Sequence, residues 1–467
     1  MQYIEVKNFG PVEDATVFVN QISLLIGEQA SGKSTISKLI YFFRSLKEDL
    51  FSLVYNNFGS RDDLRREFIK AIQLKFSRYF GSTKHQSNFT LAFFYSDERY
   101  IILKLNAVKY LNVDFSHKFY MDIGDEVKAL LEAIRSAPKS RNTYEMIALE
   151  QSKDKYLRQL KDIVDSLFHD NRGSLYIPAG RNITVSYPNQ FKLSFYGDIA
   201  VENEKSIGNK NAEQTIDYHL LRDFMDMVEA NNDEFRRYDF AGLIRDYNRV
   251  EKIDVKRKKK LNKVIALVEL ILKGKYKFDK WGEKIVYDSS NKRYVYLKNA
   301  SSGQQEVIRI LQDLFLILLR DESVFRVIEE PEAHLYPLAQ KHLVEIVSIV
   351  SNATGSSIFI TTHSPYVLSV FNNLVFANEV FSDKMNIDAV NTETASKYEF
   401  SKIDANKFSA YGLKNRDGWE FKSITSPESH LIGDNYLDDV SYQVGSEMNE
   451  LFEQFKTNHE SPRRRNR

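Results

Sequence analysis

ISLLIGEQASGKST, residues 22–35, decides how the rest of the chain is read. ISLLI (22–26) is a short apolar run suited to a buried strand, and the residues after it change character abruptly. From Gly27 through Glu28, Ala30, Ser31, Gly32 and Lys33 to Ser34, they match the phosphate-binding pattern G-x-x-x-x-G-K-S in full. Ile36, Leu39, Ile40 and Phe43 then recur at i, i+3, i+4 and i+7, one face of a helix. Glycines at such a turn let successive N–H groups point inward at phosphate oxygens, and the helix adds the positive end of its dipole. Lys33 places a cation on the β- and γ-phosphates, Ser34 offers its hydroxyl to Mg²⁺, and Thr35 follows in the same turn. The cofactors this implies are a nucleotide and Mg²⁺.

Such a loop needs a second strand that ends in acids, and VFRVIEEPEAH (324–334) supplies one. Glu329 at the strand's end is placed to hold Mg²⁺ through water, and Glu330 to position and polarise the attacking water. Pro331 stops the strand, as suits the mouth of a sheet. SIFITTHSPY (357–366) repeats the design, with His363 at the carboxyl end of an apolar strand. Ligands of open α/β sheets sit beyond those ends, so His363 can reach a γ-phosphate. His334 reads as a turn histidine.

Just before the acidic strand lies NASSGQQEVIRIL (299–311), a loop running into a helix. Ser301 and Ser302 are suited to cap it, with Gln304 and Gln305 near the capping-box position. Its first residues are small or polar, and a helix N-terminus without bulky side chains is an anion site.

The ordering of strands and helices argues for an α/β fold with a parallel sheet. Residues 1–45 read as an antiparallel β-lobe (YIEVK and ATVFV, joined through Asn8 to Pro11) plus the phosphate loop. Residues 46–213 are mixed α/β, and 214–273 are helical and charged, with room for a short hairpin only. Residues 274–380 carry three short strands and then the motifs above. Residues 381–467 read as a small α/β extension ending in a basic tail, RRRNR.

Composition narrows the class. The chain has 467 residues, 43% hydrophobic and 28% charged, with a net charge of +1 and no cysteine. Near-zero charge gives no global case for nucleic acid or anionic membrane, so either would need a local patch. Disulfides and thiolate metal sites are excluded. VIRILQDLFLILL is interrupted by Arg309 and Asp313 and too short to span a bilayer. MQYIEV runs straight into strand-like alternation without a secretory signal, so a soluble cytoplasmic protein is expected.

Together, GEQASGKS, SSGQQE, IEEPEAH and ITTHSP occur in the order of ABC-type ATPases. They resemble the branch of SMC-like, RecF-like and OLD-like proteins, compact bacterial AAA-type ATPases among them. The resemblance implies an ABC-type ATPase head that hydrolyses ATP slowly. In that family two heads close face to face, each ATP held by one head's phosphate loop and the other's signature helix. Ser302, Gly303, Gln304 and Gln305 would be that signature, with Gln304 where a second glycine is usual. Glu329 stands where most ABC ATPases have aspartate, and His363 matches the switch histidine. No Q-loop glutamine is assigned, and YIPAGR (176–181) resembles an element of the same ATPases, which would put Arg181 near the site. An AAA+ ATPase or a small-molecule kinase normally has its acidic strand soon after the phosphate loop, whereas here most of the chain separates Lys33 from Glu329.

Two outputs fit. The first is a dimerising switch controlling a separately encoded effector, as in anti-phage defence systems. The second is a nucleic-acid-binding ATPase using KIDVKRKKKLNK (252–263) and the RRRNR tail. A nuclease like the OLD proteins is disfavoured, because GDNYLDD (433–439) lacks the glutamate-bearing strand and Asp-x-Asp strand that such a domain needs.

Overall fold

A computed structural model describes residues 1–56, 63–136, 143–186, 216–381, 392–415, 418–433 and 435–460. Two sheets meet near the phosphate loop. The first is antiparallel: β1 (Gln2–Phe9), β2 (Val12–Val19), β4 (Thr90–Phe94), β5 (Tyr100–Leu105) and β6 (Leu111–Phe115), in the order β2-β1-β4-β5-β6. Its alternation is that of a half-buried strand, with Ile4 and Val6 buried and Tyr3 and Glu5 partly exposed.

The core sheet contains β3 (Ile22–Gly27), β7 (Gly173–Ile177), β11 (Val324–Glu329), β12 (Ser357–Thr362), β13 (Phe408–Lys414) and β14 (Glu420–Ser423). Its order is β14-β13-β3-β12-β11-β7, parallel except for the antiparallel edge β14. Both faces are covered, which is why ISLLI and SIFIT read as unbroken apolar runs. Successive side chains divide between the faces. Leu24, Ile26, Ile328, Ile358 and Ile360 join helices Val255–Leu272, Ser302–Arg320 and Pro337–Thr354. Leu25, Val327 and Phe359 turn the other way, onto helix Lys33–Arg44 and the antiparallel sheet. The expected α/β fold, with an antiparallel β-lobe and a parallel core sheet, is the fold observed.

Two features depart from the sequence reading. Residues 408–414, within the stretch read as an extension, form a central strand that pairs with β3 from Phe408↔Ile22 to Leu413↔Gly27. The helical stretch is three helices rather than a hairpin: Ile216–Phe235, Phe240–Val250 and Val255–Leu272. Asp239 and Asp254 cap the second and third by accepting from Gly242 N and Arg257 N, at 2.8 and 2.9 Å. The basic run 256–260 opens the third helix, where Arg257 donates to Leu319 O at 2.9 Å. The RRRNR tail lies outside the described residues, as do parts of 46–213 and Asp434 of GDNYLDD.

The three short strands are present: β8 (Lys275–Asp279), β9 (Gly282–Val286) and β10 (Tyr294–Tyr296). The two charges that interrupt the apolar helix are both paired. Arg309 binds Glu283 through two contacts, at 2.6 and 2.7 Å, and Asp313 accepts from Arg326 at 2.8 Å. No described helix is long and apolar enough to cross a membrane.

Candidate functional site

The carboxyl ends of β3, β11 and β12 lie side by side, because β12 pairs with both of the others. At the end of β3 the chain curls back on itself. Gly32, left-handed at φ 109°, is the N-cap of helix Lys33–Arg44, and Ala30 is also left-handed at φ 60°. Lys33 Nζ reaches inward and donates to Gly27 O at 2.8 Å and Glu28 O at 2.5 Å. Burial pushes this ammonium down to about 8, with Glu330 and then Glu28 opposing the shift. Ser31 Oγ closes the loop onto Glu28 O at 2.8 Å, while Ser34 is exposed on the first helical turn and Thr35 half-buried.

The last part of the chain props this loop. Glu28 N donates to Leu413 O at 3.3 Å, Glu28 Oε2 accepts from Asn415 N at 3.0 Å, and Trp419 Nε1 donates to Ser31 O at 3.2 Å. No local pattern could have pointed to these contacts, which span nearly four hundred residues.

At the end of β11, Glu329 is buried and accepts from Ala179 N through Oε2 at 3.3 Å. Its Oε1 is buried without a hydrogen-bond partner. Glu330 turns left-handed at φ 42° and points its carboxylate outward, with Oε1 at 3.5 Å from His363 Nε2. Burial and the Lys33 charge hold the His363 imidazole below its ordinary value, against the pull of Glu330. Lys33, Glu330 and His363 therefore act on one another electrostatically from three strand ends.

Glu332 was not singled out from the sequence. Its Oε1 accepts from His363 N at 2.9 Å and from the Thr362 hydroxyl, which fixes the backbone that carries His363. Burial raises its carboxyl above the usual range. Arg181, which the sequence placed only near the site, is fully buried and donates to the carbonyls of Glu329 and Glu330 at 2.6 and 2.9 Å. It belongs to the loop after β7, the strand beside β11, so YIPAGR meets the site at Glu329.

The signature stretch starts its helix as capping rules require. Ser301 is the N-cap, accepting from Gln304 N, while Gln304 Oε1 accepts from Ser301 N at 3.1 Å. Gln304 Nε2 also donates to Leu272 O at 2.7 Å, and Gln305 Nε2 to Leu297 O and Lys298 O at 3.0 Å. Gln304 thus has two structural contacts that a glycine could not make. Gly303 packs onto the turn after the acidic strand, where a Cβ would sit 2.5 Å from His334 O. Ser302 stays exposed.

No cluster of three or more His, Asp or Glu side chains suited to a metal occurs among the described residues. Mg²⁺ keeps several waters and is commonly held by one or two protein oxygens plus phosphate. The unpartnered Glu329 Oε1 and the exposed Ser34 hydroxyl fit that arrangement.

The family model of the AAA ATPase domain matches residues 1–368, and the chain belongs to that family. The match spans both the phosphate loop and the distant acidic strand. Among solved structures, the chain is similar to the SMC head bound to the C-winged helix domain of ScpA. The TM-score is 0.39 at 11% identity, covering 91% of this chain and 98% of that one. It is also similar to the SMC head domain from Thermotoga maritima, with a TM-score of 0.36 at 10% identity, covering 91% and 98%. No curated protein matches the sequence.

Proposed function

We propose that this AAA ATPase-domain protein binds and slowly hydrolyses ATP, and that ATP closes two copies head to head in a switch that controls a partner. The observation that carries the reading is the convergence of Lys33, Glu329, Glu330 and His363 at three adjacent strand ends, with Glu330 and His363 3.5 Å apart. Lys33 would exchange its bonds to Gly27 O and Glu28 O for β- and γ-phosphate oxygens. The loop N–H groups and the dipole of helix Lys33–Arg44 would hold the remaining phosphate charge. Mg²⁺, held by Ser34 and by Glu329 directly or through water, would neutralise charge on the phosphates. Glu330 would orient the attacking water and take its proton, while His363 would contact the γ-phosphate. Ser302, exposed at a capped helix end beside the buried Gly303, would complete the site of a second copy.

Helix Tyr436–Glu460 supports a protein partner. Val444, Met448, Leu451 and Phe455 recur at spacings of four and three and are 59%, 63%, 67% and 56% exposed. An effector of the kind paired with such ATPases in anti-phage defence is the partner we favour, on the resemblance. Glu330→Gln with ATP should run as a dimer in gel filtration with light scattering, and as a monomer without it. An unchanged mass, with ATP bound, would remove the switch and leave the ATPase.

One surface favours a second output, on nucleic acid. On β8–β10, Lys275, Lys277 and Lys284 share a sheet face with Tyr294 and Tyr296 by register, and the turn beside them exposes Trp281. Cations interleaved with aromatic rings suit a single strand. Lys284 is paired there with Asp279 at 2.7 Å, while in the 256–260 run Arg257 is engaged within the fold and Lys256, Lys258 and Lys259 are exposed. Lys277→Glu with Lys284→Glu should weaken binding to single-stranded DNA and flatten its salt dependence.

A further inference from the structure

Arg181 joins three elements that the motifs leave separate. Its guanidinium donates to Pro178 O at 2.7 Å in its own loop, to Glu329 O at 2.6 Å and Glu330 O at 2.9 Å at the end of β11, and to Glu306 O at 3.3 Å on the signature helix. The Glu306 carboxylate accepts from Arg181 N at 3.0 Å and lies 3.5 Å from Nε. Both side chains are buried, 0% and 3% exposed. Only a planar fork of fixed N–H directions can serve these carbonyls together.

The bonds fall where small shifts have large effects. Glu330 is held left-handed at φ 42°, its N–H bound to Thr361 O at 2.9 Å and its carbonyl to Arg181 and to Ala333 N at 3.0 Å. The direction of its carboxylate follows from that backbone. Glu306 lies one helical turn beyond Ser302, on the same rigid helix. A buried ion pair with its carbonyl partners cannot be partly broken cheaply, so the cluster moves as a unit. We infer that Arg181, through Glu306, is a positioning residue that transmits the state of Glu329 and Glu330 to the signature helix of the same chain. The end that completes a second copy's site is thereby set by this copy's own site. Neither residue touches nucleotide in this scheme.

The inference rests on the proposed ATPase reading, and the experiment separates the two. Arg181→Lys keeps the charge but loses the fork. Glu306→Gln keeps a similar shape but loses the charge, and serves where Arg181→Lys does not fold. Each is measured for ATP affinity, kcat, KM and ATP-dependent hydrogen exchange over residues 301–306, with wild type and Lys33→Ala alongside. The expected result is ATP affinity and KM within about threefold of wild type, kcat down about tenfold to a hundredfold, and loss of the ATP-induced exchange change at the signature. Variants keeping wild-type kcat and exchange response would overturn the relay. So would a joint fall of affinity, kcat and melting temperature, which would make Arg181 merely structural. A wild type silent to ATP in every assay would instead sink the ATPase reading itself, and the relay with it.

Discussion

At the amino end of the core sheet, buried charges are paired. Arg44 donates to Asp170 and Gln2 and lies 3.8 Å from the Phe325 ring centroid. Arg172 binds Asp170 at 2.7 Å, and Lys47 pairs with Asp165 at 3.2 Å. At the carboxyl end, Glu329 Oε1 and Glu332 Oε2 are buried without hydrogen-bond partners, and Ala30, Glu330 and His334 are all left-handed. The amino end has its own orphans, Arg44 Nε and Ser174 Oγ, and one left-handed residue, His169, but its carboxylate Asp170 is held by two arginines. The carboxyl end carries strain and spare acceptors, which suits residues kept for a ligand and a chemical step.

The sharpest test of the contrast is Lys33→Ala, which should lower ATP turnover by at least about a hundredfold. It should leave the melting temperature of the free protein unchanged or higher. A large loss of stability would show that Lys33 belongs to the structural kind of charge. At the opposite end, Arg44→Met should cost about 3–5 kcal/mol in urea unfolding, with turnover per folded molecule retained. Although burial alone would raise the Asp170 carboxyl, Arg44 and Arg172 hold it below the usual value. Its share of stability is therefore present above the ordinary carboxylate pKa and lost as pH falls through the lower, folded one.

The pH dependence of the phosphate loop has the other sign. Lys33 titrates near 8 in the fold against 10.5 in the unfolded chain. The free protein should therefore gain stability between those values as pH rises, and a Lys33→Met variant should lack that gain. Bound phosphate favours the cation, so ATP affinity should fall up to about tenfold per pH unit above 8. Calorimetry in buffers of different ionisation enthalpy should show proton uptake on binding near that pH. Binding that ignores pH would place the Lys33 ammonium away from the phosphates. The smallest effect belongs to Glu332→Gln. It keeps the acceptor for His363 N and removes a buried charge, so stability at neutral pH should rise by about 1 kcal/mol with only a modest loss of kcat.

How much of this the sequence disclosed depended on distance along the chain. The phosphate loop, the acid strand and the histidine strand were legible because each is contiguous, with a periodicity that changes at its boundary. Ser301 and Gln304 were legible as caps for the same reason. Residues 408–414 as the partner of β3 were not, since a strand buried on both faces carries no alternation to specify its neighbour. Glu332 escaped, and Arg181 was placed no more closely than near the site, because each works through backbone atoms of residues distant along the chain. The third helix of 216–272 was missed at Asp239 and Asp254, whose capping role depends on a break that charge runs on either side conceal.

The pairing of β13 with β3 also has a consequence for biosynthesis. A ribosome makes the phosphate loop nearly four hundred residues before its props at Leu413, Asn415 and Trp419. Between the two the nascent chain carries an unsupported strand edge, a hazard met by holding chaperones or by temporary pairing elsewhere. The nucleotide site therefore becomes competent only when a distant strand has been made and docked.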